Sequence, residues 1–381
     1  MITIGVDIRV LGTGRHSGIE EYTEQILSHM IAQAPDVHWK LFYSGRAPLV
    51  RRDWMSAQNV SVFETGLSNR LVWLTTKFFG MPRLDEQVGG ADVFFFPHFL
   101  LGVLSPACKR IMTWHDLSYE KMPHLLSPYR RFWHAVQMQP RHQAHTADRI
   151  IAVSSATAQD IVDSYGISRQ RVAVVPSGID PLLRRSSEVE ITSWRTLRNI
   201  QAPFVLALGT REPRKNLPAL IRAWDVARKQ SAFRAVHLVI AGQAGWMERD
   251  IVRAIATTHT PREVHIIENI DRDERQRILS AASVLAYPSL MEGFGFPPLE
   301  AMACGTPVLT SATSSLFETV GDAGLLVDPY RVDQVAAGLV ALHADPGLRS
   351  RMIARGLERV GLFSWQRSAQ ATLAEIRSVL Q

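Results

Sequence analysis

The sequence predicts an α/β protein of two domains, each built on a parallel sheet. Three observations carry this. Short β-branched and aromatic runs alternate with stretches of helical periodicity. The alternation pauses over a polar stretch, Glu188 to Asn199, and then restarts. The loops that follow the strands carry glycines, basic residues and carboxylates. Parallel strands need helical crossovers, so regular alternation argues for parallel sheets. The restart after a charged, unpatterned linker argues for two of them.

The elements follow in order. ITIGVDIRV is a strand, GTGRHSG a loop, and IEEYTEQILSHMIAQ a helix in which Ile19, Tyr22, Ile26 and Met30 recur at helical spacing. VFFFPHF, KRIMTWHD and DRIIAVSS are strands ending in polar turns, followed by the helix ATAQDIVDSYG and the strand RVAVVPSG. After the linker come PFVLALGT, the helix LPALIRAWDVARKQ, the strands AVHLVIAG and EVHIIEN, the helix DERQRILSAA and the strand SVLAYPS. No short repeat or low-complexity segment interrupts this order.

Composition narrows the classes. The chain has 381 residues, 46% hydrophobic and 20% charged, an ordinary globular make-up with room for two domains. Cys108 and Cys304 form neither a disulfide framework nor a zinc set, which fits a reducing compartment. MITIGVDIRV lacks a basic n-region and a cleavage site, so no signal peptide is expected. The apolar stretch VFFFPHFLLGVL is too short to span a bilayer and is broken by Pro97 and His98. A soluble or peripheral protein in the cytoplasm is expected. The net charge of +6 suits anionic ligands, nucleic acid or an anionic membrane alike. No long Lys/Arg cluster or nucleic-acid module is present.

In open parallel sheets ligands sit beyond the carboxyl ends of the strands. Four such loops carry chemistry and are expected to line one cleft. In GTREPRKN, Arg211, Arg214 and Lys215 precede a helix, where cations and helix amides together suit a diphosphate; a solvated basic turn is the plain alternative. GTGRHSG is a poor dinucleotide fingerprint, because Gly12, Gly14 and Gly18 are spaced GxGxxxG. Gly18 instead suggests close backbone approach at a helix start. His115 and Asp116 end an apolar strand; the histidine is either structural or a donor to a sugar or phosphate, and His98 shares that ambiguity. Asp271-Arg272-Asp273 has the spacing of a divalent-metal motif, but Asp271 with Glu274 reads as a capping box. No metal site is expected.

The fourth loop is MEGFGFPPLEAMACGTPVL. Pro298 suits the first turn of a helix that stops at Gly305. Glu300 near the helix start is favoured there, and simple capping would explain it. Glu292 has no such role and is expected to point into the cleft. There a carboxylate can bind sugar hydroxyls or steady an oxocarbenium-like centre. Amides of Gly293, Phe294, Gly295 and Phe296 would meet phosphate oxygens.

These residues resemble a known family. Glu292 and Glu300, with seven residues between them, match the EX7E motif of retaining glycosyltransferases of the GT-B fold. PSLMEGFGFPPLEAMACGTPVLTS, ALGTREPRKNLPALIRAW, LVIAGQAGW, DRIIAVSSATAQDIVDSYGI, VAVVPSGID, GDAGLLVDP, TWHDLSYEKMP and GIEEYTEQIL all look like glycosyltransferase family 4, over nearly the whole chain. The resemblance implies two Rossmann-like domains facing a central cleft: residues 1–182, joined by a C-terminal helix of about 365–381, and residues 200–364. It implies Glu292 on the donor sugar, Glu300 on the nucleotide ribose, and Lys215 with Arg214 or Arg211 on the diphosphate. Gly293 to Phe296 would line the sugar–phosphate pocket, Gly18 would approach the phosphates, and His115 the transferred sugar. The family's basic pair often begins one residue earlier, where Thr210 stands, which leaves the choice of arginine open. Many relatives have glycine at the position of Glu268, and Glu20 likewise replaces a common glycine.

EPRKN is similar to the loop of bacterial mannosyltransferases that build polysaccharides, which implies GDP-mannose as donor, no cofactor, and a saccharide or lipid-linked saccharide acceptor. The alternatives are a UDP-sugar donor, a glycoside hydrolase using both glutamates, a sugar-nucleotide epimerase, or a nucleic-acid-binding protein. A hydrolase would leave the basic loop without a role. TTKFFGMPR and SPYRRFWHAVQ interleave basic and aromatic residues; they are either packed helix faces or a peripheral patch for an anionic bilayer.

Overall fold

A computed structural model describes residues 1–12 and 18–381. They form two compact units: Met1–Pro123 with Pro128–Gly178 and Ser364–Gln381, and His124–Ser127 with Ile179–Phe363.

Among the described residues, the first unit has a seven-stranded parallel sheet: β1 (Ile2–Asp7), β2 (Val37–Ser44), β3 (Val60–Thr65), β4 (Val93–Phe96), β5 (Lys109–Trp114), β6 (Arg149–Ala152) and β7 (Val172–Val174). Its order is β3-β2-β1-β4-β5-β6-β7. The second has six parallel strands: β8 (Phe204–Leu208), β9 (His237–Ala241), β10 (Val264–Ile267), β11 (Val284–Tyr287), β12 (Val308–Ser311) and β13 (Leu325–Val327), in the order β10-β9-β8-β11-β12-β13. Each sheet grows first to one side of its opening strand and then to the other. The loops after β8 and β11 therefore leave neighbouring strands, paired Val284 to Val205 and Leu285 to Leu206, in opposite topological directions. This is the switch point at which such sheets bind ligands. Strands such as β4 and β8 are buried along their whole length, as parallel strands covered on both faces must be.

The stretch expected as an unpatterned linker is a helix, Glu188–Leu197, with a full capping box between Ser187 and Glu190. Ile191 and Trp194 are its buried residues, and the indole of Trp194 donates to Glu274 Oε1 at 3.0 Å. Two apolar anchors three residues apart make too thin a stripe for periodicity to reveal. Only half of the capping box expected at Asp271 forms. Asp271 Oδ1 accepts the Glu274 amide at 2.7 Å, but the Glu274 carboxylate turns to Trp194 and Arg198.

The C-terminal helix, Trp365–Ser378, packs in the first unit against the helix Gly18–Gln33. Trp365 meets Tyr22 edge-on at 5.7 Å, and Arg149 pairs with Glu375 at 2.5 Å. A Cβ on Gly178 would lie 2.1 Å from the Trp365 amide nitrogen, so the close approach requires glycine.

Behind β4 and β5 the first unit holds a line of rings. Tyr22 meets His115 edge-on at 4.8 Å, His98 lies 4.6 Å from Phe99, and Phe99 stacks on Trp114 at 4.8 Å. Tyr119 stacks on His134 at 4.5 Å. Loss of hydration lowers the pKa of His115 and of His134 from 6.5 to about 4, and that of His98 well below its ordinary value. These imidazoles are neutral in the fold and protonate near 6.5 when it opens. Their contribution is complete above that value and is lost as pH falls towards 4. Hydrogen exchange, corrected for intrinsic rates, is expected to show protection of β4–β6 falling between pH 6.5 and 4. Protection that stays level across this window would refute the assignment of neutral, desolvated rings.

Candidate functional site

The site is built where the loops after β8 and β11 run side by side. The Leu290 amide donates to the Arg214 carbonyl at 2.9 Å, clipping the two backbones together. This brings Arg214 and Lys215 onto Glu292. The Lys215 ammonium lies 2.7 Å from Glu292 Oε1, and the Arg214 guanidinium bonds Oε2. Ser289 Oγ donates to Oε1 at 2.5 Å, and Arg214 also donates to the Met291 carbonyl at 2.7 Å. The Glu292 amide donates to Ser314 Oγ at 2.9 Å, and Ser315 Oγ donates to the Glu292 carbonyl at 2.9 Å. Ser314 holds a φ of 50°, a left-handed conformation rare outside glycine, which the surrounding bonds sustain.

Glu292 is only 7% exposed. Burial alone would raise its pKa; Arg214 and Lys215 outweigh it and bring it down to about 2. The carboxylate is therefore ionised throughout the neutral range. Lys215 is lowered by loss of hydration, partly offset by Glu292, and its ammonium lies 4.6 Å from the Tyr287 ring centroid. Arg214 also pairs with the buried carboxylate of Glu212. The basic loop thus differs from the solvated turn that was one reading of it. Arg214 and Lys215 are held by Glu292 and Glu212 rather than presented as unmatched positive charge.

The two arginines left open in the sequence have different partners in the structure. Arg211 is buried and turned away from Lys215: Nε lies 2.7 Å from Glu248, Nη1 donates to the Gly242 carbonyl at 2.9 Å, and Nη2 bonds Glu268. Arg214 is the neighbour that shares Glu292 with Lys215. Glu268, the departure from the glycine of many relatives, serves here as a partner of Arg211. The loop after β9 lies against this one. A Cβ on Gly242 would sit 2.1 Å from the Gly209 carbonyl oxygen, and one on Gly245 2.1 Å from the Arg211 oxygen. The glycines of AGQAG are thus spacing devices for two touching loops, a role that sequence reasoning missed.

Past Glu292 the chain turns through Gly293 and Phe294 to Gly295, whose φ is 97° and whose added Cβ would meet Leu316 at 2.7 Å. Phe294 is buried, its carbonyl held by Thr319 Oγ1 at 2.6 Å, and its ring meets Phe296 at 5.0 Å. The helix Phe296–Ala303 starts here, with Gly295 bringing no side-chain cap. Such a helix start favours an anionic group. Glu300 is not a cap. It lies beyond the first turn, is 2% exposed, and pairs with Arg275 Nη2 at 2.5 Å. Arg275 comes from the helix after β10 and was not singled out from the sequence. Its signal was only a basic residue on a charged helix face.

In the first unit, His115 is half-buried and its Nε2 lies 2.8 Å from the Pro97 carbonyl. A carbonyl only accepts, so the neutral ring donates from Nε2 and Nδ1 is left as an acceptor. The expectation that His115 donates to a sugar or phosphate therefore changes: it can accept from a hydroxyl. Asp116 Oδ1 accepts from the Ser118 amide at 2.9 Å and closes the turn. Gly18 is the exposed first residue of its helix, and Gly14 lies outside the described residues. Among the described residues no group of three or more His, Cys, Asp or Glu could hold a metal ion, and Asp271 is occupied as a cap.

Known proteins agree with this architecture. Residues 16–182 match the model of Glycosyltransferase Family 4, and residues 189–359 match that of Glycosyl transferases group 1. The chain is 29% identical over 283 residues to O-antigen chain mannosyltransferase B of Escherichia coli, covering 74% of this chain and 71% of that protein. It is 29% identical over 282 residues to the serotype-specific mannosyltransferase WbdA of Escherichia coli, covering 72% of this chain but only 34% of that longer protein. A D-inositol 3-phosphate glycosyltransferase of Kribbella flavida is 33% identical over 62% of this chain and 57% of its own length. In fold, the chain resembles sucrose-phosphate synthase from Thermosynechococcus elongatus, with a TM-score of 0.74 at 20% identity over 100% of this chain and 99% of that one. It also resembles WaaG, a glycosyltransferase involved in lipopolysaccharide biosynthesis, with a TM-score of 0.71 at 16% identity over 98% and 99% of the two chains. The two family models succeed one another along the chain, one on each side of the boundary between its sheets, and the chain belongs to the family 4-type glycosyltransferases: it is a hexosyltransferase of the GT-B fold.

Proposed function

We propose that the enzyme transfers mannose from GDP-mannose, with retention of anomeric configuration, to a saccharide or lipid-linked saccharide acceptor. The observation that carries this reading is the convergence of Arg214 and Lys215 on Glu292 at the switch point of the second sheet. Mannosyltransferases among the relatives support the choice of sugar. A UDP-sugar remains the competing donor, since Anabaena HepE, of the same fold, is known with UDP and glucose.

In this reading Arg214 and Lys215 hold the donor diphosphate, joined by the helix start at Phe296 and the backbone of Gly293 to Gly295. Glu292 touches the donor sugar while keeping the two cations in place, Glu300 takes the ribose, and His115 accepts a bond from a sugar hydroxyl. Gly18 approaches the phosphates. The departing phosphate oxygen takes the acceptor's hydroxyl proton as the bond from C1 to the diphosphate breaks. The new C1–O bond forms on the same face, so an α-linked donor gives an α-linked product. The cations and the helix amides bear the leaving group's charge without a metal ion or other cofactor. The work is assigned to the cytoplasm, with peripheral contact at the inner membrane face; no helix among the described residues is long and apolar enough to cross a membrane. No nucleic-acid partner is assigned.

Three expectations test this. Glu292→Gln should lower the transfer rate about 10²–10³-fold in a protein that still folds; turnover close to wild type would remove Glu292 from the reaction. Arg214→Ala and Lys215→Ala should weaken binding of the nucleoside diphosphate more than that of the nucleoside by titration calorimetry, whereas Arg211→Ala should chiefly lower thermal stability. Equal effects on the two ligands would place the pair outside the phosphate site. A donor screen by nucleotide release, run with and without excess EDTA and followed by NMR of the product, should give turnover with GDP-mannose, no effect of EDTA, and an α-anomer. Turnover with UDP-sugars alone, a metal requirement or a β-linked product would each overturn the corresponding part.

A further inference from the structure

Tyr287 closes β11 just before the loop that carries Glu292. The strand reads VLAY and is buried along its length, so phenylalanine would satisfy the packing there. A buried hydroxyl costs stability unless it is bonded. This one is bonded on both sides. The Lys215 ammonium donates to the Tyr287 oxygen, and the phenol donates its own proton to the Glu292 carboxylate. Lys215, Tyr287 and Glu292 thus close a triangle, whose third side is the 2.7 Å contact of Lys215 with Glu292.

The neighbouring residues fix this contact. Asn216 follows Lys215 with a φ of 57°, a conformation asparagine tolerates. Its side-chain amide donates to the carbonyl of Pro288, next to Tyr287, at 3.3 Å and to that of Pro329 at 2.8 Å. Thr310 Oγ1 donates to the Tyr287 carbonyl at 2.8 Å. An ammonium has three N–H donors. Glu292 takes one of them and Tyr287 another; among the described residues no acceptor takes the third. Lys215 also borders a void of about 10 Å³ walled by Leu208, Leu217, Ile240 and Ala286, which is apolar and has room for about one water, not for a phosphate.

We propose that Tyr287 is a positioning residue for the donor diphosphate: its hydroxyl occupies one N–H of Lys215, bonds Glu292 as well, and leaves a single N–H of a charged ammonium for a phosphate oxygen. The proposal deepens, and rests on, the assignment of Lys215 to the diphosphate. Loss of hydration and Arg214 lower the Lys215 pKa while Glu292 and Glu212 raise it, with a net fall. Burial and the Glu292 charge lift the Tyr287 pKa well above its ordinary value, so the phenol stays protonated where lysine titrates. Without the phenol oxygen the ammonium loses an acceptor and gives up its proton more readily. The charge that holds the diphosphate is then lost at lower pH.

The test is calorimetry of the full chain with GDP and with guanosine between about pH 7.5 and 10.5, where the diphosphate is ionised. The ratio of the two affinities isolates the phosphates and cancels ionisation of the base. In the wild type it should fall with a midpoint below the ordinary lysine value of about 10.4. Tyr287→Phe should move that midpoint down by about one pH unit, the loss of one hydrogen bond to a charged group. Uniform labelling with 3-fluorotyrosine, which keeps the oxygen but weakens it as an acceptor, should move it the same way by less. In Lys215→Ala the fall should vanish, and adding Tyr287→Phe should change the ratio no further. A hydroxyl that only supports the fold would lower thermal stability, or the ratio equally at every pH, and leave the midpoint in place; that result, or a further loss in the double variant, would overturn the proposal. A wild-type ratio near one, or a fall that survives Lys215→Ala, would remove the assignment of Lys215 itself. A fall that needs Lys215 but ignores Tyr287→Phe would remove the role of Tyr287 alone.

Discussion

A carboxylate buried between two cations is stable only if its lost hydration is replaced bond for bond, and Glu292 meets that condition. Arg214, Lys215 and Ser289 supply its donors. Removing one member of such a cluster typically costs about 3–5 kcal/mol, because the others are left buried and unmatched. The cluster therefore holds the loops after β8 and β11 as well as placing their charges. Its donors come from both loops, so their relative position is tied to the protonation and presence of one side chain. With its pKa brought down to about 2, the carboxylate stays ionised and that tie stays intact throughout the neutral range.

Around this contact the second unit uses glycine to bring backbones together and arginine to hold them there. Gly242 and Gly245 let the loop after β9 touch the loop after β8, and Arg211 then bridges both to Glu248 and Glu268. Arg275 and Glu300 do the same for the helices that follow β10 and β11. Three arginines within a short stretch of structure thus have different work: Arg211 and Arg275 fix the frame, and Arg214 completes the charged centre. The first unit relies instead on stacked rings and neutral histidines. Burial that strips an imidazole of its proton makes it a hydrogen-bonding group of defined polarity, as His115 shows through its bond to Pro97.

Much was legible in the sequence because it is written locally. Alternating periodicities reveal parallel α/β sheets, since a strand and a helix each repeat over a few residues. The spacing of Glu292 and Glu300, the position of Lys215 and the loops that carry them are also contiguous. What local pattern conceals is pairing between distant segments. The helix Glu188–Leu197 shows too few apolar positions to be seen, because its stability comes from Trp194 meeting Glu274 across 80 residues of chain. The choice between Arg211 and Arg214 was likewise invisible, since both follow the same strand and differ only in the partners the neighbouring strands supply.

The sequence by itself determined the class of fold, the family and the chemical types gathered on the strand-end loops, because these depend on residue identity and short-range order. Only the tertiary structure decided that Glu292 is gripped by Arg214 and Lys215, and that Glu300 is held by Arg275 rather than capping its helix. Strand order is the reason. Setting β11 beside β8 brings together loops about 77 residues apart in the chain, and no periodicity within either loop records which neighbour the sheet will give it.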